Sequence, residues 1–481
     1  MTRKFQLHDY LTINAYWLGI AMISQTMAPI VLPLLVERFV GEAQKGTYYG
    51  TLRLWGLMVA LLAQAFWGLL SDQSTLRWGR RRPFILGGAL LNLVFIVGIG
   101  FSAGMSDFSG YAFLFVMYLL LQISANAAHS ATQGLIPDLV PENQRGKFSA
   151  IKAILEVPLP VILVSFTVGR LIQAGNMWGA LFVTMSVVAL TALVLMFVRE
   201  PTPQNDTASF AHAWIAFARF VLMTAIFTAL ILCLREVIRR VSAFTSEMNA
   251  TNLFITMGVA GLSAMIVAIA IGVWISIRIG ARDATKTPAF TWWVMNRLAF
   301  LVGAVNLSSF VVFFLQARLG LVREQAAGPA ANMLLFVGVF ILIFASLAGW
   351  FSDRIGHKRV VALAGAIAAL GTLITILASD LTLIYVGGCV FGAAVGMFYT
   401  ANWALGTQIV PQDQAARYLG ISNLAGAGAG AVGAYIGGPI ADLFTARFPE
   451  TPGLGYVLLF AIFSVMFLFS ILALAKIERA S

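Results

Sequence analysis

The chain has 481 residues, of which 60% are hydrophobic and only 11% are charged. Soluble domains carry about 25% charged residues, and disordered chains lack the long apolar runs, 36 Phe and 11 Trp found here. The net charge is +11. The basic residues stand between the apolar runs, where they orient a protein in the membrane, so they do not indicate nucleic acid as a partner. The composition therefore predicts an all-α polytopic membrane protein and excludes the soluble and disordered classes.

Fourteen apolar windows are long enough to cross a bilayer, which takes about 20 residues per helix. They lie at 11–35, 50–71, 84–104, 111–135, 149–172, 177–198, 210–234, 252–276, 290–315, 330–350, 360–378, 382–405, 418–442 and 455–475. The first window is longer than the apolar part of a signal peptide, so we expect it to be an uncleaved span.

The basic residues indicate that both termini face the cytoplasm. This placement puts nineteen of the 31 Lys and Arg residues on the cytoplasmic side, nine outside and three within spans, as the positive-inside rule requires. The exceptions are Arg235, Arg239 and Arg240, which fall outside between the seventh and eighth windows. Two alternatives remain open for 210–276: a transmembrane hairpin, which the long and nearly uncharged windows favour, or two helices along the cytoplasmic surface.

Two motifs recur at corresponding places in the chain. Gly68-Leu-Leu-Ser-Asp72 precedes a basic cluster, as Gly349-Trp-Phe-Ser-Asp353 does later, and residues 140–151 align with 410–421 without a gap. Such repeats indicate two six-helix halves. They predict an N-terminal bundle over 1–200, an inserted helix pair over 201–288 and a C-terminal bundle over 289–481.

The most specific signature is Ser71-Asp-Gln-Ser-Thr-Leu-Arg-Trp-Gly-Arg-Arg-Arg-Pro-Phe-Ile85, accompanied by Gln133 to Leu139, Asn296-Arg297 and Asn402 to Leu405. On these residues the chain resembles the major facilitator superfamily and, within it, the sucrose–proton symporters and their bacterial relatives in the glycoside–pentoside–hexuronide group. The resemblance implies the major facilitator fold of two six-helix bundles, here with two extra helices between them and 14 transmembrane helices in all. It also implies a sugar transporter that works by alternating access in the cell inner membrane, and we expect it to act as a monomer.

The repeated Gly-x-x-x-Asp motif predicts a gate. A short acid at a helix end can cap the positive N-terminus of a facing helix, while we expect the arginines to stay in headgroup water. By resemblance, Asp72 meets the span that starts near Arg417, and Asp353 meets the span that starts near Lys147. The alternative is that the arginines only set the orientation of the helices in the membrane. The predicted gating residues are Gly68, Asp72, Arg80, Arg81, Arg82, Gly349, Asp353, Arg354 and Arg359.

The window 111–135 carries four polar side chains at steps of four, three and four residues: Gln122, Asn126, His129 and Gln133. These steps place them on one helical stripe. Polar groups at membrane depth line a cavity or hydrogen-bond to neighbouring helices. Amides both donate and accept, as sugar hydroxyls require, so we predict a substrate-binding stripe. A packing role for the histidine is equally open.

The proton-coupling residues of the family are not kept. Sucrose symporters carry an aspartate at the place of Gln122, and bacterial relatives often carry an acid at the place of Asn402. Glu156 is then the clear carboxylate candidate within a span, where burial would make it a proton carrier. An ion pair with Lys152, one turn earlier, is the alternative, and an uncoupled facilitator or exporter is the alternative for the whole chain.

The second half contributes further candidate substrate-binding residues: Arg297, Tyr399, Asn402 and Trp403. Arg297 has three open roles, namely binding substrate oxygens, pairing with Glu156, or extending to the cytoplasmic interface. The aromatic side chains stack on a sugar face or pack within the bundle.

Enzymes and ATP-driven pumps are poorly supported. The chain has four histidines, and it lacks both the His-Glu-x-x-His zinc motif and the Gly-x-x-x-x-Gly-Lys-Ser/Thr phosphate loop. We therefore expect no catalytic residues, cofactor or metal. The predicted partners are a sugar-like small molecule, the lipid bilayer and protons.

Overall fold

The structure, a computed structural model, describes residues 7–141, 144–198, 200, 210–280, 288–410 and 415–477, and only the backbone of 7, 210–213, 280 and 415–426. All regular secondary structure in these ranges is helical. The long helices are α1 (His8–Val40), α2 (Lys45–Asp72), α3 (Arg82–Ser102), α4 (Asp107–Leu139), α5 (Arg145–Gln173), α6 (Met177–Leu195), α7 (Phe210–Phe244), α8 (Ala250–Gly280), α9 (Pro288–Leu319), α10 (Arg323–Ile355), α11 (His357–Leu377), α12 (Leu381–Ile409), α13 (Ala415–Arg447) and α14 (Leu454–Ala475).

Thirteen helices among the described residues are long and apolar enough to cross a membrane, and α13, with 33 residues, is the fourteenth long helix. This confirms the prediction of an all-α polytopic chain with fourteen long helices, thirteen of which qualify as membrane spans among the described residues. Most helices run past the apolar windows that predicted them: α4 spans 33 residues and ends at Leu139, beyond Pro137 and Asp138. Hydropathy marks the apolar middle of a helix, whereas backbone hydrogen bonding continues into its polar ends.

Two helices are interrupted where the sequence carries prolines. α1 contains a π-helical turn at Met27–Val31, around Pro29. α5 breaks at Val157 between Arg145–Glu156 and Pro158–Leu163, and a π-helical turn follows at Val164–Val168. Proline lacks an N–H and clashes with the preceding turn, and wide turns of this kind absorb the missing hydrogen bond.

The helices form two compact units. The first comprises Met1–Phe39 and Val59–Ala218, and the second comprises Val40–Met58 and Arg219–Ser481. The first half of α2 therefore belongs to the second unit, and its second half belongs to the first. The three-part domain organisation expected from the sequence stays a prediction.

The inserted pair packs on the helices of the second unit. α8 contacts α9, α13 and α14, and the ring of Phe227 in α7 fits between Gly272 of α8 and Gly428 of α13. Arg235 donates a 2.7 Å hydrogen bond to the hydroxyl of Tyr435 in α13. A long apolar pair packed in this way favours the transmembrane hairpin over helices on the membrane surface.

Candidate functional site

The predicted polar stripe on α4 lies in the first unit and is bonded along its own length. Asn126 Nδ2 donates to the carbonyl of Gln122 at 2.8 Å, and His129 Nε2 lies 3.1 Å from Gln133 Nε2. Gln122, Asn126 and His129 are half-buried, and Gln133 is exposed. The stripe therefore presents amide and imidazole groups that remain within reach of a ligand.

Three further helices bring side chains to this stripe. The ring of Trp17 in α1 lies edge-on to His129, with 5.4 Å between centroids, and the ammonium of Lys152 in α5 lies 3.8 Å from the centroid of the same indole. Gln64 of α2 donates to Gln133 at 3.4 Å. The indole N–H of Trp17 is buried and has no hydrogen-bond partner among the described residues. We call Trp17, Gln64, His129, Gln133 and Lys152 the first polar cluster.

Sequence reasoning missed Trp17 and Gln64. An isolated tryptophan or glutamine in an apolar run carries no periodic signal. Only the packing of α1 and α2 against α4 shows which of the many aromatic and amide side chains meet.

Glu156 is less buried than a proton carrier was expected to be. Its side chain is 41% exposed, and its Oε2 lies 3.5 Å from Lys152 Nζ. It is the last residue before the break in α5. This geometry favours the ion-pair alternative. Its role in proton coupling stays a prediction.

Arg297 is the centre of a polar cluster in the second unit. It is 8% exposed, so extension to the membrane interface was the wrong alternative. Its Nη1 donates to Asn402 Oδ1 at 3.1 Å, and its Cζ lies 5.5 Å from the centroid of the Trp403 ring. Its Nε is buried and has no partner among the described residues. Asn402 and the Trp403 ring therefore fix the guanidinium in place.

Asn402 is fully buried and acts as a junction. Its Nδ2 donates to Asn296 Oδ1 at 2.8 Å, and Asn296 Nδ2 donates in turn to the carbonyl of Ser470 in α14 at 2.8 Å. Its own carbonyl accepts the indole N–H of Trp293 at 2.9 Å. We call Trp293, Asn296, Arg297, Asn402 and Trp403 the second polar cluster.

Tyr399 and Trp403 lie one turn apart on α12, and both are exposed. They remain free to stack on a ligand, which is what the prediction requires. The sequence singled out neither Asn296 nor Trp293 as a positioning residue, although Asn296 stands beside Arg297 in the motif.

The first copy of the gating motif forms a tight network inside the first unit. Arg81 Nη1 contacts Asp72 at 2.5 Å and the Ser71 hydroxyl at 2.8 Å, while its Nε donates to Asp138 of α4 at 2.9 Å. Arg81 is buried, so the expectation that all three arginines stay in headgroup water was wrong for this one. A side chain at Gly134 would collide with its guanidinium. Two carboxylates compensate the burial of this charge, and Arg80 lies at the edge, 3.7 Å from Asp72.

Burial lowers the pKa of the Arg81 guanidinium, but the hydrogen bond and charge of Asp138 and the charge of Asp72 outweigh this effect and leave the pKa raised. The same loop is held by Glu200, which the sequence did not single out. Its carboxylate accepts the backbone N–H groups of Arg81 and Arg82 at 2.8 Å each and so caps α3. Gly79 has a φ of +113°, and a side chain there would collide with Glu200.

The side chains of the second copy of the motif are more exposed to solvent than those of the first copy. Asp353, Arg354 and Arg359 are exposed, and Arg354 lies over the ring of Trp350, 3.9 Å from its centroid. Gly68 has only an ordinary contact, with Ser130, and nothing described lies near Gly349. The side chains around Arg417, where Asp72 was expected to bind, lie outside the described residues. Both gates stay predictions.

No group of three or more His, Cys, Asp or Glu side chains among the described residues could hold a metal ion. The polar clusters offer amides, indoles, an imidazole and two cations. Such groups suit reversible binding of hydroxyl-bearing molecules.

Comparison with known proteins identifies the family. The profile of the Major Facilitator Superfamily matches residues 18–322 and 295–480. A sucrose transport protein of Arabidopsis thaliana is 32% identical over 114 residues, which is 20% of this chain and 19% of that protein. An isoprimeverose transporter of Lactiplantibacillus pentosus is 25% identical over 158 residues, 31% of this chain and 33% of that protein. The chain thus matches between about a fifth and a third of the length of these relatives.

The solved structure of a D-xylose–proton symporter superposes with a TM-score of 0.62 at 16% identity, covering 98% of this chain and 97% of the other. At that identity the likeness shows the fold alone, and it confirms the major facilitator fold expected from the sequence. The family is one of membrane transporters and not of enzymes. The protein is a multi-pass membrane protein, and the chain belongs to the Major Facilitator Superfamily.

Proposed function

We propose that the protein is a secondary transporter of a sugar, a disaccharide or related glycoside, that works by alternating access and is driven by protons. The observation that carries the proposal is the pair of polar clusters, each of which joins amide groups to an indole ring and a cation. Sugars present hydroxyls that need donors and acceptors together, and apolar ring faces that stack on aromatic side chains. The sucrose and isoprimeverose transporters among the relatives point to the same substrate class.

In this proposal the sugar-binding residues are Gln122, Asn126, His129 and Gln133 on α4, and Arg297, Tyr399 and Trp403 on α9 and α12. Asn402 holds the arginine. The chain sits in the cell inner membrane with both termini in the cytoplasm, acts as a monomer, and needs no cofactor.

A panel of mono- and disaccharides tested by thermal shift on the purified protein, at two pH values, examines the substrate class. Specific binding stabilises the folded state by mass action, so one sugar should raise the melting temperature by several degrees. Gln133→Ala should remove most of this rise. Gln173→Ala, which changes an exposed glutamine at the end of α5, should not. A panel without any stabilising sugar would contradict the proposal.

An uncoupled facilitator or exporter is the second candidate. Asn402 favours it: an acid at this place would face Arg297 as an ion pair, whereas the amide cannot take up or release a proton near neutral pH. Sugar addition to lightly buffered proteoliposomes separates the two candidates. A symporter makes the outside medium more alkaline, and a facilitator leaves its pH unchanged.

A further inference from the structure

Asp442 is one of three buried carboxylates among the described residues, with Asp9 and Glu37, and it lies outside the two polar clusters. Asp442, near the end of α13, is 6% exposed. Its two oxygens accept hydrogen bonds from the backbone N–H groups of Gly46 at 2.9 Å and Thr47 at 2.7 Å, in the first turn of α2. These N–H groups have no partner within their own helix, and a negative charge beside them is favourable. Asp442 thus caps α2 from another helix of the same unit.

The two helix backbones touch beside this cap. A side chain at Gly46 would collide with the backbone of Gly438, and one at Gly50 would collide with the backbone of Ala434. Glycine is therefore required for this close approach. The first half of α2 lies on α13 along this contact, with Asp442 at its end.

A positively charged group that acts on Asp442 is also buried. Lys45 is 2% exposed; it donates to Gln316 of α9 at 3.0 Å, and its positive charge acts on Asp442.

Other contacts around this end of α13 come from α7, α8 and α14. Arg447 donates to the carbonyls of Ser242 in α7 and of Thr245, the residue after the end of α7. Phe254 of α8 packs on Phe444, and Tyr456 of α14 packs on Phe313, the ring beneath Lys45.

We propose that Asp442 is the proton-sensitive latch of this transporter: ionised, it fastens α2 to α13, and protonated, it releases α2. This inference rests on the proposed function and assigns its proton site. The ionised carboxylate accepts two N–H bonds, whereas the protonated carboxyl carries a donor on one oxygen, so one cap bond is lost and the negative charge that favours the N-terminus of α2 disappears. The predicted orientation puts this end of α13 on the outside, where protons enter along an inward gradient.

Hydrogen–deuterium exchange of the purified full-length protein tests the latch without any substrate. Amides of the peptide 44–52 are followed between pH 5 and pH 8, after correction for the pH dependence of intrinsic exchange. We expect protection to fall about five- to tenfold at the acid end, as for the loss of an ordinary helix cap. Asp442→Asn should show the low protection at every pH, and Asp442→Glu should keep the pH dependence.

Asp380 provides the matched control, because it caps α12 through its bond to Leu383 N at 3.0 Å but is exposed. Asp380→Asn should deprotect the start of α12 and leave 44–52 unchanged. Protection of 44–52 that is independent of pH, or that keeps its pH dependence in Asp442→Asn, would overturn the latch. Since the measurement needs no sugar, its failure is distinct from a failure of the proposed transport function.

Discussion

At the scale of single residues, Arg297 shows how a membrane helix holds a buried charge. The described residues around it supply a neutral acceptor from Asn402 and the face of an indole. A guanidinium is weakly hydrated and stacks well on aromatic rings, which lowers the cost of this arrangement. Its buried Nε has no partner among the described residues, and in the proposed function Asn402 positions the guanidinium for the sugar.

Replacing Asn402 should therefore weaken sugar binding. Asn402→Ala removes the acceptor that holds Arg297, and we expect the dissociation constant for the sugar found by thermal shift to rise at least about tenfold, equivalent to ~1.4 kcal/mol. The measurement is titration calorimetry on purified protein.

Asn306 is the control, since it is equally buried but bonds to the carbonyls of Val302 and Ala429. Asn306→Ala should lower the melting temperature and leave the affinity intact. Equal affinities in both variants would remove Asn402 from the site.

At Arg81, the shape of the side chain should contribute more to stability than its charge does. Arg81→Lys keeps the charge but cannot reach Asp72, Ser71 and Asp138 together, because an ammonium lacks the planar fork. We expect a loss of about 2 kcal/mol of stability, read as a lower melting temperature. Arg80→Lys, at the edge of the network, should stay near wild type; equal losses would show that charge alone matters.

The sequence predicted these residues unevenly. Arg297, Asn402 and Asp72 stood in motifs that resemble a known family, and the α4 stripe followed from helical spacing. Asp442, Glu200 and Trp17 could not be found in this way, because their roles depend on which helix end or ring faces them across the fold. Glu156 was chosen for its place in a span, and the structure pairs it with the lysine that had been named as the alternative.

At the scale of helices, the apolar windows predicted where the helices lie. Interruptions within a helix can be expected from the sequence only at prolines. α5 breaks at Val157, beside Pro158 and Pro160. The wide turn in α1 also surrounds a proline. The apolar window 50–71 missed the first turn of α2, which begins at Lys45. This turn is polar and its cap comes from Asp442 in α13, so the hydropathy of the segment gives no sign of it.

Phe227 should contribute to the attachment of the inserted pair, in addition to the contacts of α8 and the Arg235–Tyr435 hydrogen bond. Phe227→Ala empties the space between Gly272 and Gly428. We expect the free energy of unfolding to fall by about 3 kcal/mol, as is usual when a buried phenylalanine is replaced by alanine. Phe244, which is 86% exposed, is the control, and Phe244→Ala should change the melting temperature little. Sugar affinity should be equal in both variants. A melting temperature unaffected by Phe227→Ala would mean that the pair is held elsewhere.

At the scale of the whole molecule, the repeats and the family profile describe one architecture of fourteen helices. The uneven distribution of Lys and Arg between the two sides predicts the orientation of the chain in the membrane. Cysteine labelling can check this orientation. With Cys233 and Cys389 replaced by Ser, a cysteine at Glu42 should react with a membrane-impermeant maleimide in intact cells. One at Arg77 should react only after permeabilisation, since both positions are exposed loop residues on opposite predicted sides. The reverse pattern would invert the topology.

Uptake of the stabilising sugar into proteoliposomes under an imposed pH gradient tests the central claim most directly. We expect accumulation above the external concentration when the outside is acidic, accompanied by proton entry, and collapse of the sugar gradient when a protonophore is added. Vesicles that take up no sugar from the panel in either direction would contradict the account.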